Sequence, residues 1–149
     1  MSTVLHTNVD VTINRPPDQV WAVVSDYERD TEWRKGIREM TPDIEGPPRV
    51  GTHVREVLQL AGKAYTSETE VTEVGPGRSY RFAGTGTSGN VRGRRSVRPG
   101  EQPDSAVFAY DVELEPLAIP RIAQPVLSWW LGHSLRRDLS RLRRLVERA

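Results

Sequence analysis

The closing segment of this chain constrains its fold more than any other feature. Residues 125–148 read PVLSWWLGHSLRRDLSRLRRLVER, with leucine at positions 127, 131, 135, 139, 142 and 145. Because an α-helix turns by about 100° per residue, these leucines share one face. Two polar residues, Ser134 and Asp138, fall on or beside that face. The segment therefore predicts one long helix, from Pro125 to Arg148, whose leucine face must pack against an apolar surface.

The residues before this helix alternate between apolar and polar side chains, which is the period of half-buried strands. The alternation predicts strands around residues 9–13, 37–44, 50–60, 65–74, 78–84, 91–98 and 106–115. Short turns separate the later strands, so neighbours should pair antiparallel. Pro16 and Pro17 open a helix that ends near Asp26, and a second short helix over residues 27–35 stops at Gly36. Together these elements predict one α+β domain, residues 1–149, in which a curved antiparallel sheet of about six to seven strands wraps around the last helix.

Composition excludes several classes of function. The 21 basic and 20 acidic residues nearly balance, so net charge gives no reason to expect nucleic-acid binding. The chain has no cysteine, which removes disulfides, thiolate metal sites and cysteine nucleophiles. His6, His53 and His133 have no metal-ligand spacing with carboxylates, and we expect neither a metal nor another cofactor. The sequence shows no secretory signal and no transmembrane segment, so we expect a cytoplasmic protein.

A glycine-rich stretch, GTGTSG at residues 84–89, matches the dinucleotide-binding pattern G-x-G-x-x-G. That motif binds phosphate only where a helix follows, because the N-terminus of the helix faces the pyrophosphate. The next residues, NVRGRR, have no helical periodicity. We therefore interpret the stretch as the tip of a β-hairpin.

Several segments resemble one known superfamily. They are VTINRPPDQVW at 11–21, DYERDTEW at 26–33, VGT at 50–52, EVTEVGPGR at 70–78 and the leucine-patterned helix ending in LVER. On these segments the chain resembles the START-like (SRPBCC) superfamily, and within it the polyketide cyclase/dehydratase-like proteins. The resemblance implies a helix-grip fold over nearly the whole chain. It does not assign an activity, because the superfamily includes lipid carriers, cyclases, hormone receptors and co-chaperone-type domains.

Strand alternation, together with this resemblance, predicts a cavity between the sheet and the last helix. Its wall would be aromatic and aliphatic with a few polar groups, as in many ligand sites. The predicted ligand-binding residues are Trp33, Val54, Glu56, Tyr65, Thr69, Tyr80, Phe82, Arg95, Phe108, Tyr110, Trp130, Ser134 and Asp138. In the alternative interpretation the same side chains fill an ordinary core, with Glu56 and Arg95 at a wet edge.

Asp138 is the most informative polar residue, because it lies inside the leucine stripe. An unpaired carboxylate there would cost several kcal/mol or take up a proton. It is a candidate general acid/base, as is Glu56, or an anchor for a ligand hydroxyl. The favoured interpretation is structural, an ion pair with Arg141 or with an inward arginine such as Arg95.

Three functions remain open from the sequence. The first is binding of an apolar or aromatic small molecule of the lipid, polyketide or isoprenoid type. The second, permitted by the resemblance, is a cofactor-free aromatase/cyclase or dehydratase that acts in the same cavity. The third is a protein or membrane-surface interaction module that uses the outer face of the last helix, with Trp129 and arginines at 136, 137, 143, 144 and 148. For that face alone, a solvated surface is the favoured interpretation, and no oligomeric state follows from the sequence.

Overall fold

The computed structural model describes residues 4–60, 62–87, 89–116 and 120–149. Seven strands and three α-helices follow one another in the described residues, with two 3-10 turns beside the helices. In chain order the elements are β1 (Leu5–Ile13), α1 (Pro17–Val24), a 3-10 turn (Tyr27–Arg29), α2 (Asp30–Trp33), β2 (Ile37–Pro42), β3 (His53–Leu60), β4 (Lys63–Gly75), β5 (Ser79–Gly86), β6 (Gly89–Pro99), β7 (Ala106–Pro116), a second 3-10 turn (Arg121–Ala123) and α3 (Gln124–Arg148).

All seven strands belong to one antiparallel sheet in the order β1-β7-β6-β5-β4-β3-β2. Strands β2 to β7 form the predicted meander, and β1 closes it by pairing with β7, with Val9 opposite Tyr110. This confirms the predicted α+β helix-grip architecture. The sequence also predicts a hairpin turn at residues 61–63 and, from its three prolines, an irregular connection over residues 116–125. Ala61 and residues 117–119, within these segments, lie outside the described residues.

Two strands are shorter than predicted. β3 begins at His53 rather than Val50, because the backbone turns at residues 49–52, where the Thr52 N–H donates to the Arg49 carbonyl over 2.9 Å. Strand β2 ends at Pro42 rather than Ile44, and Ile44 is exposed. The second predicted helix, residues 27–35, is shorter than expected and is split into the first 3-10 turn and α2.

Glycines allow β5 to curve closely over β4. A Cβ on Gly84 would lie 1.9 Å from the Glu68 carbonyl oxygen, and one on Gly86 would lie 2.3 Å from that of Thr66. No residue with a side chain fits at that distance, so glycine is required at both points. These glycines end β5 and Gly89 begins β6, while Ser88 is not described. The flanking strands confirm that the G-x-G-x-x-G match is not a nucleotide-binding loop.

Helix α3 lies in the concave side of the sheet and contacts β1 and α2. As predicted, its leucine face is buried at Leu135, Leu139 and Leu142, with Leu131 and Leu145 partly buried beside them. Burying a leucine side chain contributes about 1.5–3 kcal/mol, so this face is a major stabilising contact. At the far end, the Asn14 N–H donates to a carboxylate oxygen of Glu147 over 2.9 Å. That bond fixes the end of α3 to the turn that follows β1.

Candidate ligand site between the sheet and the last helix

A cavity of about 130 Å³ lies between the sheet and the first half of α3. Most of its wall is aliphatic or aromatic, and its polar side chains come from the residue that follows α2, from β3 and from β4. The lining residues are Arg34, Glu56, Leu58, Tyr65, Thr66, Ser67, Phe82, Val91, Tyr110, Val112, Leu114, Leu131 and Leu135. An apolar wall with a few placed polar groups is the usual construction of a small-molecule site.

The polar part of the wall centres on Glu56. One carboxylate oxygen forms an ion pair with Arg34, 2.7 Å from Nη2, and the other accepts a hydrogen bond from the Ser67 hydroxyl over 3.2 Å. Arg34 also contacts the Asp30 carboxylate, over 3.2 Å. Burial lowers the pKa of Arg34, but the nearby acidic groups of Glu56, Tyr110 and Asp30 together outweigh burial, and the net effect is a raised pKa. Arg34 is therefore a permanent cation held between two carboxylates at the cavity wall.

Behind the wall, Arg95 and Asp30 form a fully buried ion pair. The two guanidinium nitrogens of Arg95 lie 3.0 and 2.5 Å from the two oxygens of Asp30. Arg95 also donates to the Val24 carbonyl over 3.1 Å and to the Tyr110 hydroxyl oxygen over 3.3 Å. Its guanidinium carbon lies 4.7 Å from the Tyr110 ring centroid and 5.1 Å from that of Trp33, as in cation–π contacts. Burial alone would lower the pKa of Arg95, but Asp30, Tyr110 and Tyr80 together raise that pKa well above its ordinary value.

These contacts connect four charged side chains in the order Arg95, Asp30, Arg34, Glu56. We call this set the buried charge chain. Two guanidinium groups and two carboxylates give it a net charge of zero, which is what burial of ionised groups requires. Helical spacing explains how one short element supplies the middle of the chain, because Asp30 and Arg34 lie one turn apart at the ends of α2.

Asp30 and Arg34 were not among the predicted site residues. In the sequence they belong to DYERDTEWRK, a run of charges that is typical of a solvated surface. One signal could have found them: Asp30, Trp33 and Arg34 share a helical face, and a tryptophan on a charged helix marks its buried side.

The structure divides the predicted ligand-binding residues into three groups. Glu56, Tyr65, Phe82 and Tyr110 line the cavity. Six others lie in the packed core, as the alternative interpretation expected; they are Trp33, Val54, Thr69, Tyr80, Phe108 and Arg95. The expectation that Arg95 lies at a solvent-exposed edge was wrong, since only 1 % of the residue is exposed and Asp30 neutralises its charge.

Trp130, Ser134 and Asp138 form the third group and do not line the cavity. They lie on the neighbouring face of α3, in a separate recess of about 250 Å³ beside Lys35 and Arg141. Trp130 and Ser134 are rotated by about 100° and 60° from the cavity-lining Leu131. Asp138 is seven residues after Leu131, so it lies on nearly the same side of the helix but about 10 Å further along α3. Asp138 is consequently not placed to act as an acid or base on a molecule in the cavity.

Asp138 forms the ion pair that the sequence favoured. One of its oxygens lies 2.7 Å from Arg141 Nη1 and accepts the Lys35 N–H over 3.2 Å. Arg95, the other predicted partner, is engaged by Asp30 instead. Burial raises the pKa of Asp138, and the Lys35 N–H, Arg34 and Arg141 partly oppose that rise.

The three histidines lie apart from one another. His6 contacts Asp111, His53 is mostly exposed near Asp43, and His133 stacks on Trp129. Within the described ranges, no group of three or more His, Asp or Glu side chains is arranged to hold a metal ion. No helix in the described part of the chain is long and apolar enough to cross a membrane.

Fold and cavity together define a helix-grip domain, a curved sheet closed over one long helix. The sequence model of the family "Polyketide cyclase / dehydrase and lipid transport" matches residues 5–147, and the chain belongs to that family. No curated protein matches the chain.

Solved structures show the same fold at low sequence identity. A START superfamily protein from Mycobacterium smegmatis is 19 % identical, with a TM-score of 0.79, over 96 % of this chain and 97 % of that one. The Zhui aromatase/cyclase from Streptomyces sp. R1128 is 17 % identical, with a TM-score of 0.79, over 98 % and 95 % of the two chains. DynU16, a putative protein of the dynemicin biosynthetic locus, is 19 % identical with a TM-score of 0.67; the match covers 96 % of this chain and 47 % of DynU16.

Proposed function

We propose that this protein binds an apolar or aromatic small molecule, of the lipid, polyketide or isoprenoid type, in the cavity between the sheet and α3. The observation that carries this proposal is the cavity wall, which is apolar apart from the cluster around Glu56 and Arg34. Apolar burial supplies the driving force at about 25 cal/mol per Å², and the polar cluster orients an oxygen atom of the ligand.

Cavity size determines how a ligand must enter. The cavity holds about 130 Å³, whereas sites for drug-sized ligands hold about 300–1,000 Å³. A ring system larger than two fused rings therefore requires the cavity to widen. Widening by movement of α2 would break the buried contacts of Asp30 with Arg95 and Arg34, so α2 is expected to stay in place when a ligand enters.

A bicyclic phenol, 2-naphthol, is a suitable probe because it is uncharged, flat and small. We expect it to bind the wild-type protein by titration calorimetry. Leu131→Trp places an indole in the cavity and should weaken binding about tenfold or more. Val126→Trp is the matched control, because Val126 lies on the same helix and is 68 % exposed. Urea unfolding of both variants verifies that each is folded.

The proposal is contradicted if Leu131→Trp binds 2-naphthol as tightly as the wild type and Val126→Trp do. Native mass spectrometry of freshly purified protein gives an independent measurement. An adduct that is lost in Leu131→Trp and kept in Val126→Trp would identify a cellular ligand of the cavity.

A cyclase or dehydratase acting in the same cavity is the second candidate, favoured by the position of one carboxylate, Glu56, on the cavity wall beside two tyrosines. One oxygen of Glu56 is ion-paired with Arg34 and the other accepts a hydrogen bond from Ser67, which makes the carboxylate a poor proton acceptor. Binding is therefore the favoured function. Incubation with a linear poly-β-keto thioester, followed by mass spectrometry, tests the enzyme: loss of water by the wild type but not by Glu56→Gln would establish catalysis.

A further inference from the structure

An exposed apolar ridge crosses the beginning of α3 and the turn before it. Ile122, Val126 and Trp129 lie four and three residues apart, so they share one side of the helix. Their exposed fractions are 88 %, 68 % and 66 %, although all three are large and apolar. This apolar ridge lies on the opposite side of α3 from the buried leucine face, so the ridge takes no part in the core or in the cavity.

The same outer side of α3 becomes basic after the apolar ridge. Arg136, Arg137 and Arg144 are exposed, and no ion pair within the described part of the chain involves any of the three. Between Arg121 and Arg137 the sequence contains no acidic residue. A partner that covers this side must therefore accept apolar side chains at one end and supply negative charge along the rest.

We propose that the outer side of α3 docks on an anionic membrane surface, with the apolar ridge inserted among the lipid headgroups. An interfacial helix has this construction, with aliphatic and aromatic residues on the inserted side and arginines that reach lipid phosphates. Trp129 fits that position, because tryptophan prefers the boundary between headgroups and acyl chains. Each ridge residue is at least 66 % exposed, although Trp129 also borders a groove between α3 and β1. A ridge exposed to this extent suits a deformable lipid surface better than a fixed protein surface.

This inference does not depend on what the cavity binds. Membrane docking needs no occupied cavity, and the 2-naphthol titration needs no membrane. The two proposals can therefore fail separately.

Vesicle flotation tests the inference with phosphatidylcholine vesicles, with and without phosphatidylserine. We expect the full chain to float with the mixed vesicles and to bind neutral vesicles far more weakly. The difference in affinity should be about fivefold for each arginine that reaches the anionic surface. Val126→Asp should reduce binding to mixed vesicles about tenfold or more, since it places a charge in the inserted ridge. Val50→Asp is the control, because Val50 and Val126 are equally exposed at 68 % and Val50 lies in the turn before β3.

Charge is tested separately. Arg136→Gln combined with Arg137→Gln should lower binding to mixed vesicles about twentyfold or more, and added salt should mimic the change. Arg55→Gln combined with Arg98→Gln, which changes two exposed arginines of the sheet, should leave binding unaltered. The emission of Trp129 should shift to the blue on binding, and Trp129→Phe should remove that shift.

Two results would overturn the inference. In the first, the wild-type protein does not float with mixed vesicles, or Val126→Asp floats with them as well as the wild type does. In the second, the wild type ignores vesicles but self-associates in sedimentation equilibrium, and Val126→Asp abolishes that association. The apolar ridge would then be a subunit interface.

Discussion

Replacing Asp30 with asparagine tests the buried charge chain directly. Asparagine has nearly the same shape, so the substitution removes charge without opening a cavity. Asp30 is fully buried and contacts both Arg95 and Arg34. In Asp30→Asn the buried Arg95 would lose its carboxylate partner and Arg34 would keep only Glu56. The buried charge chain would then hold two cations and one anion, a net charge of +1.

The expected cost follows from that imbalance. Removing one member of a buried ion pair destabilises a protein by about 3–5 kcal/mol, mainly because the other charge stays buried without its partner. Total stability is typically about 5–15 kcal/mol, so the loss is a large share of it. For a domain of this length the melting temperature should fall by about 10–15 °C. Asp30→Asn combined with Arg95→Met restores charge balance and should be more stable than Asp30→Asn alone by at least about 1 kcal/mol.

Urea unfolding of the single and double variants measures these differences. The dependence of free energy on urea should stay constant, because the area exposed on unfolding does not change. Asp26→Asn is the control, since Asp26 is exposed four residues earlier and should shift stability by less than about 0.5 kcal/mol. A loss below about 1 kcal/mol for Asp30→Asn, or a double variant no more stable than it, would refute the reasoning.

Two further predictions concern Asp138 and Gly93. Burial raises the pKa of Asp138 above its usual 3.8, so the folded protein holds this proton more tightly than the unfolded chain does. The resulting stabilisation is fully present below about pH 3.8 and is lost as the pH rises through the raised pKa. As the pH rises through this range, the free energy of unfolding should therefore fall less for Asp138→Asn than for the wild type, as measured by urea unfolding at a series of pH values. Parallel plots of that free energy against pH would contradict this. Gly93→Ala should lose about 1–3 kcal/mol, because its Cβ would lie 2.4 Å from the Asp111 carbonyl oxygen. Thr85→Ala is the control, since Thr85 is exposed on the adjacent strand β5, and its melting temperature should remain close to that of the wild type.

The fold was predictable because its signals are local. The leucine spacing of α3 and the alternation of β1 to β7 depend only on near neighbours in the sequence, and each matches its element to within a few residues. Strand alternation also placed Tyr65, Phe82 and Tyr110 on the concave face, where they line the cavity.

The site was less predictable because its signals are long-range. The burial of Asp30 depends on Arg95, which is 65 residues away in the sequence and lies on β6. The pattern of α3 shows that Trp130, Ser134 and Asp138 share a face with one another, but their position relative to the cavity depends on how the helix is rotated in the sheet. Sequence spacing shows which residues share one face of a helix, but it does not show which part of the molecule that face contacts.

The pairing of β1 with β7 has a consequence for synthesis of the protein. β1 is made first, yet its partner is complete only at Pro116, and α3 follows later still. A growing chain on the ribosome that ends anywhere before α3 therefore lacks the helix that covers the concave apolar face. Pairings this distant in sequence also form slowly, on the scale of about milliseconds to seconds. Nascent chains of this protein therefore expose apolar surface for most of their synthesis, and such surface favours aggregation until α3 is made.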